Sequence, residues 1–169
     1  NREGVTRLCY CGPVLHTRPS GQSATREPLQ FGAEIFGHAG LEADLEAAEL
    51  ALDGLASAPV KDLLIDLADA RVLRGVLAGV PMDATQLQDI VQALSDKDAP
   101  TLAALTAHAP TETRDALLAL LRLYGGDEVL AAARDVLPAR PLVREALDQL
   151  GWLASPTGPG PHAPAAAPA

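Results

Sequence analysis

The run from Leu29 to Ile35 constrains the fold more than any other part of the chain. Its even positions are Gln30, Gly32 and Glu34, whereas its odd positions are all apolar. Because successive side chains of a β-strand point to opposite faces, this alternation predicts a strand with one apolar and one polar face. The side chains expected to cover a core are those of Leu29, Phe31, Ala33 and Ile35.

The polar side of this predicted strand is a candidate binding site. Gln30 and Glu34 share that side, with Gly32 between them. A glycine inside a strand often marks a close approach by another backbone or by a ligand, and an amide and a carboxylate beside such a gap could hold an ammonium group. A half-exposed face that meets only water gives the same alternation, so the pattern alone leaves both interpretations open.

The rest of the chain predicts a mixed α+β fold. The stretch from Arg7 to Gly37 predicts two strands, a polar loop and the strand described above, and the apolar run from Val60 to Leu67 predicts a buried strand. Asp69 and Asp83 each precede a helical pattern and are expected to be helix N-caps. The predicted helices are Leu41–Ala56, Arg71–Val80, a helix from Asp83 through Leu94, Ala99–His108, Thr111–Tyr124, Asp127–Leu137 and Pro141–Leu150.

The helix predicted over Leu41–Ala56 is amphipathic. Its acidic residues, such as Glu42 and Glu46, lie away from the apolar side. Those in the first turn suit the positive end of the helix dipole, so no ligand is needed to explain them. The apolar positions that share one side of the helix are Leu41, Leu45, Ala48, Leu52 and Leu55.

Length and charge narrow the class of protein. A chain of 169 residues fits one domain, or one domain and part of another. The formal net charge of −9 argues against a nucleic-acid partner, because phosphate binding needs clustered Lys and Arg. No apolar run approaches the length of a membrane span, and the N-terminus lacks the apolar core of a signal peptide. The expected location is the cytoplasm, with no membrane partner.

The two cysteines of the chain, Cys9 and Cys11, lie two positions apart on a predicted strand. As metal ligands they would form only half of a site, since no second cysteine pair completes it. A disulfide between residues this close has poor geometry. The sequence therefore predicts two buried free thiols in a reducing compartment and no metal site.

Common catalytic and cofactor motifs are absent from the sequence. It contains no Walker loop, no dinucleotide-binding glycine fingerprint, no HExxH and no nucleophile elbow. Its histidines do not cluster in sequence, and no acid–base pair can be identified. The sequence predicts no catalytic residue, no cofactor and no metal.

A family resemblance adds to this picture. The stretch RLCYCGPVLHTR…REPLQFGAEIFG resembles motif 2 of class II histidyl-tRNA synthetases, whose last strand ends in Gln-x-Gly-x-Glu-x-x-Gly. The segments GAEIFGHAGLEADLEAAELAL, LLIDLADARVLRGVL, IVQALSDKD and LRLYGGDEVL are similar to a family of synthetase paralogues, the regulatory subunits of short-form ATP phosphoribosyltransferases. The resemblance covers 1–154. It implies a partial class II synthetase-like core domain, with motif 2 strands over 6–37 and a mostly helical region over 41–153.

The resemblance also implies site residues. In the synthetases the Gln and Glu of this strand hold the amino group of bound histidine, which corresponds to Gln30 and Glu34, with Gly32 as the point of close approach. The family's motif 2 arginine is replaced here by His16 or displaced to Arg18, so Arg18 is a third candidate for histidine binding. The glutamate that reads adenine in the family is missing. These departures favour a paralogue without aminoacylation activity.

The function implied by the resemblance is that of a non-catalytic regulatory subunit. It would assemble with a catalytic ATP phosphoribosyltransferase subunit, form dimers within a hetero-oligomer, bind free histidine and help transmit feedback inhibition in histidine biosynthesis. Two alternatives stay open: a divergent histidyl-tRNA synthetase core, and an internal fragment without independent activity. The proline- and alanine-rich residues 155–169 are expected to be a disordered tail.

Overall fold

The computed structural model describes residues 4–17, 21 and 25–155. These residues form two β-strands and seven α-helices, which confirms the predicted α+β class. The chain divides into two compact units, Asn1–Leu64 and Ile65–Ala169, here named the hairpin unit and the helical unit. The tail predicted to be disordered lies outside the described residues apart from its first residue, Ser155.

The hairpin unit is built on an antiparallel pair of strands, β1 (Thr6–Pro13) and β2 (Leu29–Phe36). The alternating run at Leu29–Ile35 therefore forms a strand as predicted. The prediction of three strands was wrong, because the residues before the polar loop form one continuous strand. All eight positions of β1 pair with β2, so nothing interrupts the ladder at Gly12 or at Pro13.

One helix of the hairpin unit, α1 (Leu41–Ala56), has the predicted bounds and packs against β2. Small residues of α1 make this contact: a Cβ added to Gly54 would lie 3.5 Å from Cε2 of Phe31. Ala43 and Ala47 line a cavity together with Ile35. At 100° per residue, this side of α1 is opposite the apolar side that carries Leu41, Leu45, Leu52 and Leu55. No residue of α1 is fully buried.

The segment Val60–Leu67 does not form the buried strand that its composition predicts. Among the described residues it pairs with no strand, since β1 and β2 pair only with each other. Its apolar side chains are exposed, and Leu64 retains 86% of its accessible surface. An extended backbone needs a neighbouring strand to complete its hydrogen bonds, and this part of the chain supplies none.

The helical unit contains the buried core. Its helices are α2 (Ala70–Leu77), α3 (Ala84–Ser95), α4 (Ala99–Leu105), α5 (Thr111–Leu120), α6 (Glu128–Val136) and α7 (Pro141–Ala154). The predicted helices are thus confirmed, with ends that differ by a few residues. The most deeply buried apolar side chains belong to Val76, Leu102, Ala116, Leu117, Val143 and Ala146. Among the helices described, none is both long enough and apolar enough to cross a bilayer.

Side chains fix the ends of these helices. Asp69 caps α2 by accepting a hydrogen bond from the backbone N–H of Arg71 at 2.7 Å, and Asp83 forms a reciprocal capping box with Gln86 at the start of α3. Both predicted caps are confirmed. At the other end of α2, Arg140 donates hydrogen bonds to three backbone carbonyl oxygens at 2.8 to 3.0 Å. These bonds satisfy carbonyls that a helix end leaves without partners.

Candidate ligand-binding site

The candidate site is one side of the β1–β2 hairpin, named here the polar face. Directly opposed residues of an antiparallel pair project to the same side of the sheet. The register pairs Leu8 with Glu34, Tyr10 with Gly32 and Gly12 with Gln30. The same side carries the Thr6–Phe36 pair at one end, and the name polar face is kept for the part formed by Leu8, Tyr10, Gly12, Gln30, Gly32 and Glu34.

The space beside Gly32 is occupied by the end of the Tyr10 ring. A Cβ added to Gly32 would lie 2.5 Å from Oη of Tyr10, 2.6 Å from its Cζ and 3.0 Å from its Cε1. These distances are far shorter than ordinary contacts, so the ring can lie across the strand only because position 32 has no side chain. The close approach expected at Gly32 is thus made, in this structure, by an aromatic side chain of the neighbouring strand.

Gln30 holds the hydroxyl group of this tyrosine. The side-chain amide of Gln30 donates a hydrogen bond from Nε2 to Oη of Tyr10, with a donor–acceptor distance of 3.0 Å. The amide oxygen of Gln30 then has no hydrogen-bonding partner among the described residues. It is free to accept a hydrogen bond from a ligand.

Glu34 lies at the other end of the polar face. Its carboxylate has no hydrogen bond or ion pair with any described residue, and it remains exposed. At the usual rise of a strand, the Cα atoms of Gln30 and Glu34 are about 14 Å apart. The Tyr10 hydroxyl lies between them, so a ligand that contacts both side chains has to pass over that hydroxyl.

Open space adjoins Gln30 on β1. A Cβ added to Gly12, directly opposite Gln30, would meet no described atom within 4 Å. Together, the exposed carboxylate, the free amide oxygen and this open space form a shallow site with hydrogen-bond acceptors at both ends. Such a set of acceptors suits a cationic donor such as an ammonium group.

The opposite side of the hairpin is joined to α1 by an ion pair. Nη2 of Arg7 donates a hydrogen bond to a carboxylate oxygen of Glu46 at 2.7 Å, and Nε of Arg7 bonds the second oxygen. This bidentate hydrogen bond lowers the pKa of the Glu46 carboxyl and raises the pKa of the Arg7 guanidinium. Arg7 therefore positions the helix and does not belong to the polar face.

A second polar group lies at the start of α1. Nε2 of His38 is 3.3 Å from Oε2 of Glu42, and His38 lines a cavity of about 210 Å³ together with Ile35. The pKa of the Glu42 carboxyl is lowered, first by a hydrogen bond from its own backbone N–H and then by the hydrogen bond to His38. Because Ile35 is an odd position of β2, this cavity is on the α1 side of the sheet and is separate from the polar face.

The predicted site residues fall into two groups. Gln30, Gly32 and Glu34 are brought together on the polar face, whereas Arg18 lies outside the described residues. For His16, the structure shows a hydrogen bond from its backbone N–H to the carbonyl oxygen of Arg26, which continues the hairpin beyond the strands. Whether any of these residues binds histidine remains a prediction.

Sequence reasoning missed Tyr10 and Gly12. Both alternate with Leu8 along β1, which was a usable signal of a shared side. Their place opposite Gly32 and Gln30 depends on the register, which residue patterns within one strand do not specify. The two residues therefore became visible only in the paired hairpin.

The cysteines were predicted to be buried, and this prediction was wrong. Cys9 and Cys11 are both free and exposed. They lie opposite Ala33 and Phe31, on the side of the hairpin that faces α1, where α1 covers the strands only in part. Across the described residues, no three His, Cys, Asp or Glu side chains are grouped so that they could hold a metal ion.

The helical unit contains an apolar groove of about 240 Å³. Its lining is mainly leucine, valine and alanine side chains from α2, α5, α6 and α7. Its one charged lining residue, Asp69, already caps α2 and is bound by Arg71, and these contacts lower the pKa of the Asp69 carboxyl. The groove therefore offers few polar groups for orienting a small polar ligand, and the polar face is the better candidate.

Comparisons with known proteins agree with this architecture. A family model described as histidyl-tRNA synthetase matches residues 1–165. A protein from Albidiferax ferrireducens named ATP phosphoribosyltransferase regulatory subunit is 56% identical over 155 residues, covering 92% of this chain and 41% of that protein. A protein of the same name from Variovorax paradoxus is 56% identical over 162 residues, covering 95% of this chain and 42% of that protein. The chain thus spans about two fifths of the length of these curated relatives.

A solved structure has the same fold. It is described as an ATP phosphoribosyltransferase regulatory subunit/histidyl-tRNA synthetase from Bacillus halodurans. Its TM-score is 0.74 at 21% sequence identity, and the match covers 90% of this chain and 40% of that one. This likeness supports the class II synthetase-like fold predicted from the sequence.

Proposed function

Because the chain belongs to the histidyl-tRNA synthetase family, we propose that it is part of a non-catalytic regulatory subunit of a short-form ATP phosphoribosyltransferase. The observation that carries this proposal is sequence identity. Proteins that bear that name are identical to this chain at more than half of the aligned positions, over more than nine tenths of its length. Fold alone would not support it, since one fold serves many functions.

In this proposal the ligand is free histidine. The amide oxygen of Gln30 and the carboxylate of Glu34 accept hydrogen bonds from its ammonium group. Two features support this assignment: both acceptors lack a partner among the described residues, and both lie on one side of the hairpin. An ionised acceptor such as Glu34 forms the stronger kind of hydrogen bond with a cation, so Glu34 is expected to contribute more of the affinity.

The proposed partners are the catalytic subunit and a second copy of the regulatory subunit, assembled in the cytoplasm. Histidine bound here would alter activity at distant catalytic sites through a coupling free energy between the two kinds of site. The unpaired and exposed apolar segment Val60–Leu67 supports an assembled state, because exposed apolar patches mark sites of contact between proteins.

A divergent histidyl-tRNA synthetase is the competing function, and it is favoured by the family model and by the double name of the Bacillus halodurans structure. Amino-acid activation has to neutralise charge on a transferred phosphate, for which a fixed arginine is well suited. In this chain that arginine is either replaced by His16 or displaced to Arg18. This departure supports the regulatory function over the synthetase.

Two assays on the intact protein separate these functions. A regulatory subunit raises the activity of the short catalytic subunit and does not support histidine-dependent exchange between ATP and pyrophosphate. A synthetase gives robust exchange and leaves the catalytic subunit unaffected. Robust exchange would overturn the proposal, and the absence of both activities would favour the alternative of an inactive fragment.

A further inference from the structure

The hydroxyl group of Tyr10 is a hydrogen-bond donor without an acceptor among the described residues. A phenol can donate one hydrogen bond and accept others. Here the hydroxyl oxygen accepts from Nε2 of Gln30, while its proton has no acceptor among the described residues. Tyr10 keeps 46% of its accessible surface. A hydroxyl proton can rotate toward an acceptor, so a ligand at this exposed face can accept it.

The hydroxyl group is also fixed in place from two sides. The ring lies against the bare backbone of Gly32, and the amide of Gln30 holds the oxygen. A donor restrained in this way loses little further freedom when it binds a ligand, which favours affinity. The Tyr10 hydroxyl is therefore pre-organised to donate a hydrogen bond to a ligand.

The position of this donor selects the part of the ligand that it can reach. It lies between the free amide oxygen of Gln30 and the carboxylate of Glu34, the two groups proposed to hold an ammonium ion. In an α-amino acid the ammonium and carboxylate groups are attached to the same carbon atom. A hydrogen-bond donor beside an ammonium site is thus within reach of the carboxylate, which is also the strongest acceptor on the ligand.

We propose that Tyr10 is a binding residue of the polar face and that its hydroxyl donates a hydrogen bond to the α-carboxylate of the bound amino acid. This inference rests on the proposed function, since it needs histidine to bind here. It adds a specificity: the site distinguishes an amino acid from the corresponding amine. Gln30 has two roles, because it accepts from the ammonium group and orients the Tyr10 hydroxyl.

The test compares two ligands and two proteins by titration calorimetry. The ligands are histidine and histamine, which lacks the carboxylate, and the proteins are the intact wild type and Tyr10→Phe. Phenylalanine keeps the ring over Gly32 and removes only the hydroxyl. Because the lost hydrogen bond is made to a charged group, Tyr10→Phe should bind histidine roughly tenfold to a hundredfold more weakly than the wild type does. Its affinity for histamine should change little. Tyr124→Phe, in the helical unit, is the matched control and should leave both affinities unchanged.

Equal affinity of wild type and Tyr10→Phe for histidine would overturn the inference. An equal loss of affinity for histidine and for histamine, in a variant whose melting temperature is unchanged, would also overturn it. If the variant is poorly folded, 3-fluorotyrosine incorporated at position 10 of the wild-type sequence provides a second measurement. Its fluorine resonance should shift on addition of histidine and not of histamine, and the same response to both ligands would also overturn the inference.

These outcomes are distinct from those that bear on the proposed function. A wild-type protein that stimulates the catalytic subunit but does not bind histidine would overturn the role of Tyr10 and retain the regulatory role. A protein that binds histidine with the expected dependence on Tyr10 but does not stimulate the catalytic subunit would retain this inference and overturn the regulatory function.

Discussion

Tyr10 lies directly opposite Gly32 in the β1–β2 register, and the end of its ring occupies the space that a side chain at position 32 would fill. The strand that carries Gln30 and Glu34 therefore depends on its neighbour for the surface between them. The polar face is a product of both strands, and its shape is sensitive to single atoms at position 32.

The substitution Gly32→Ala should disturb the site with little loss of stability. The added methyl group would lie 2.5 Å from Oη of Tyr10, so the ring has to move and the hydrogen bond from Gln30 is lost. Because the half-exposed Tyr10 side chain can rotate away, the melting temperature should change little. Histidine affinity should fall by about tenfold, as expected for loss of an oriented donor.

Calorimetry on the intact protein measures this change. The matched control is Gly54→Ala, which adds the same methyl group at 3.5 Å from the Phe31 ring on the other side of the hairpin. Unaltered histidine affinity in Gly32→Ala would show that the position of Tyr10 does not matter for binding.

The substitution Glu34→Gln should weaken histidine binding by about tenfold or more, because it replaces a charge-assisted hydrogen bond with a neutral one. The change is nearly isosteric, and the exposed carboxylate has no partner in the described residues, so stability should be unaffected. Glu49→Gln makes the same chemical change on α1, away from the polar face, and serves as the control. Identical affinities for Glu34→Gln and the control would remove Glu34 from the site.

The substitution Gly75→Ala should destabilise the helical unit. An added Cβ would lie 2.5 Å from Cγ2 of Val143 and 3.2 Å from its backbone nitrogen, at the contact between α2 and α7. Val143 is buried and cannot move freely, so overpacking should cost about 1–3 kcal/mol. Gly54→Ala is again the matched control, since it also replaces a glycine inside a helix, and its added Cβ would make only an ordinary van der Waals contact with Phe31.

Gly54→Ala should stabilise α1 by about 0.5–1 kcal/mol, because alanine loses less conformational entropy than glycine in a helix. Hydrogen exchange of the α1 and α2 amides reports the two effects separately. Faster exchange in α1 of Gly54→Ala, or unchanged exchange in α2 of Gly75→Ala, would contradict the packing described here.

Acid should weaken the helical unit through Asp69. A side-chain hydrogen bond from Arg71 is the main cause that lowers the pKa of the Asp69 carboxyl from its ordinary value of 3.8. A depressed carboxyl pKa stabilises the fold above the unfolded value, and this stabilisation is lost as the pH falls through the folded value. The loss should therefore occur from about pH 4 downwards.

Asp69→Asn isolates this effect, because asparagine can still cap α2 while it removes the charge. The variant should be less stable than wild type at neutral pH, and the difference in melting temperature should narrow as the pH falls below about 4. A difference that stays constant from neutral pH to pH 2 would exclude ionisation of Asp69 as its cause.

Features set by local spacing were predictable from the sequence. The alternation of residues 29–35 gave the strand and placed Gln30 and Glu34 on one side, and the caps at Asp69 and Asp83 followed from side chains close to the backbone that they bind. These interactions span only a few residues, so a single stretch of sequence contains all the information that they need.

Features set by distant partners were not predictable. The position of Tyr10 depends on register, and burial of Val60–Leu67 depends on a neighbouring strand that the described residues do not contain. For α1, two apolar sides were present in the sequence. The side with Ala47 and Gly54 contacts the hairpin, because small side chains let a helix approach a sheet closely.

The ring of Tyr10 over Gly32 also bears on how the site could be redesigned. The floor of the site between Gln30 and Glu34 is a side chain and not backbone, so its depth can be changed at position 10 without altering the path of either strand. A smaller residue there would uncover the backbone at Gly32 and make room for a bulkier amino acid. A single substitution at position 10 could therefore be enough to start changing which ligand the hairpin binds.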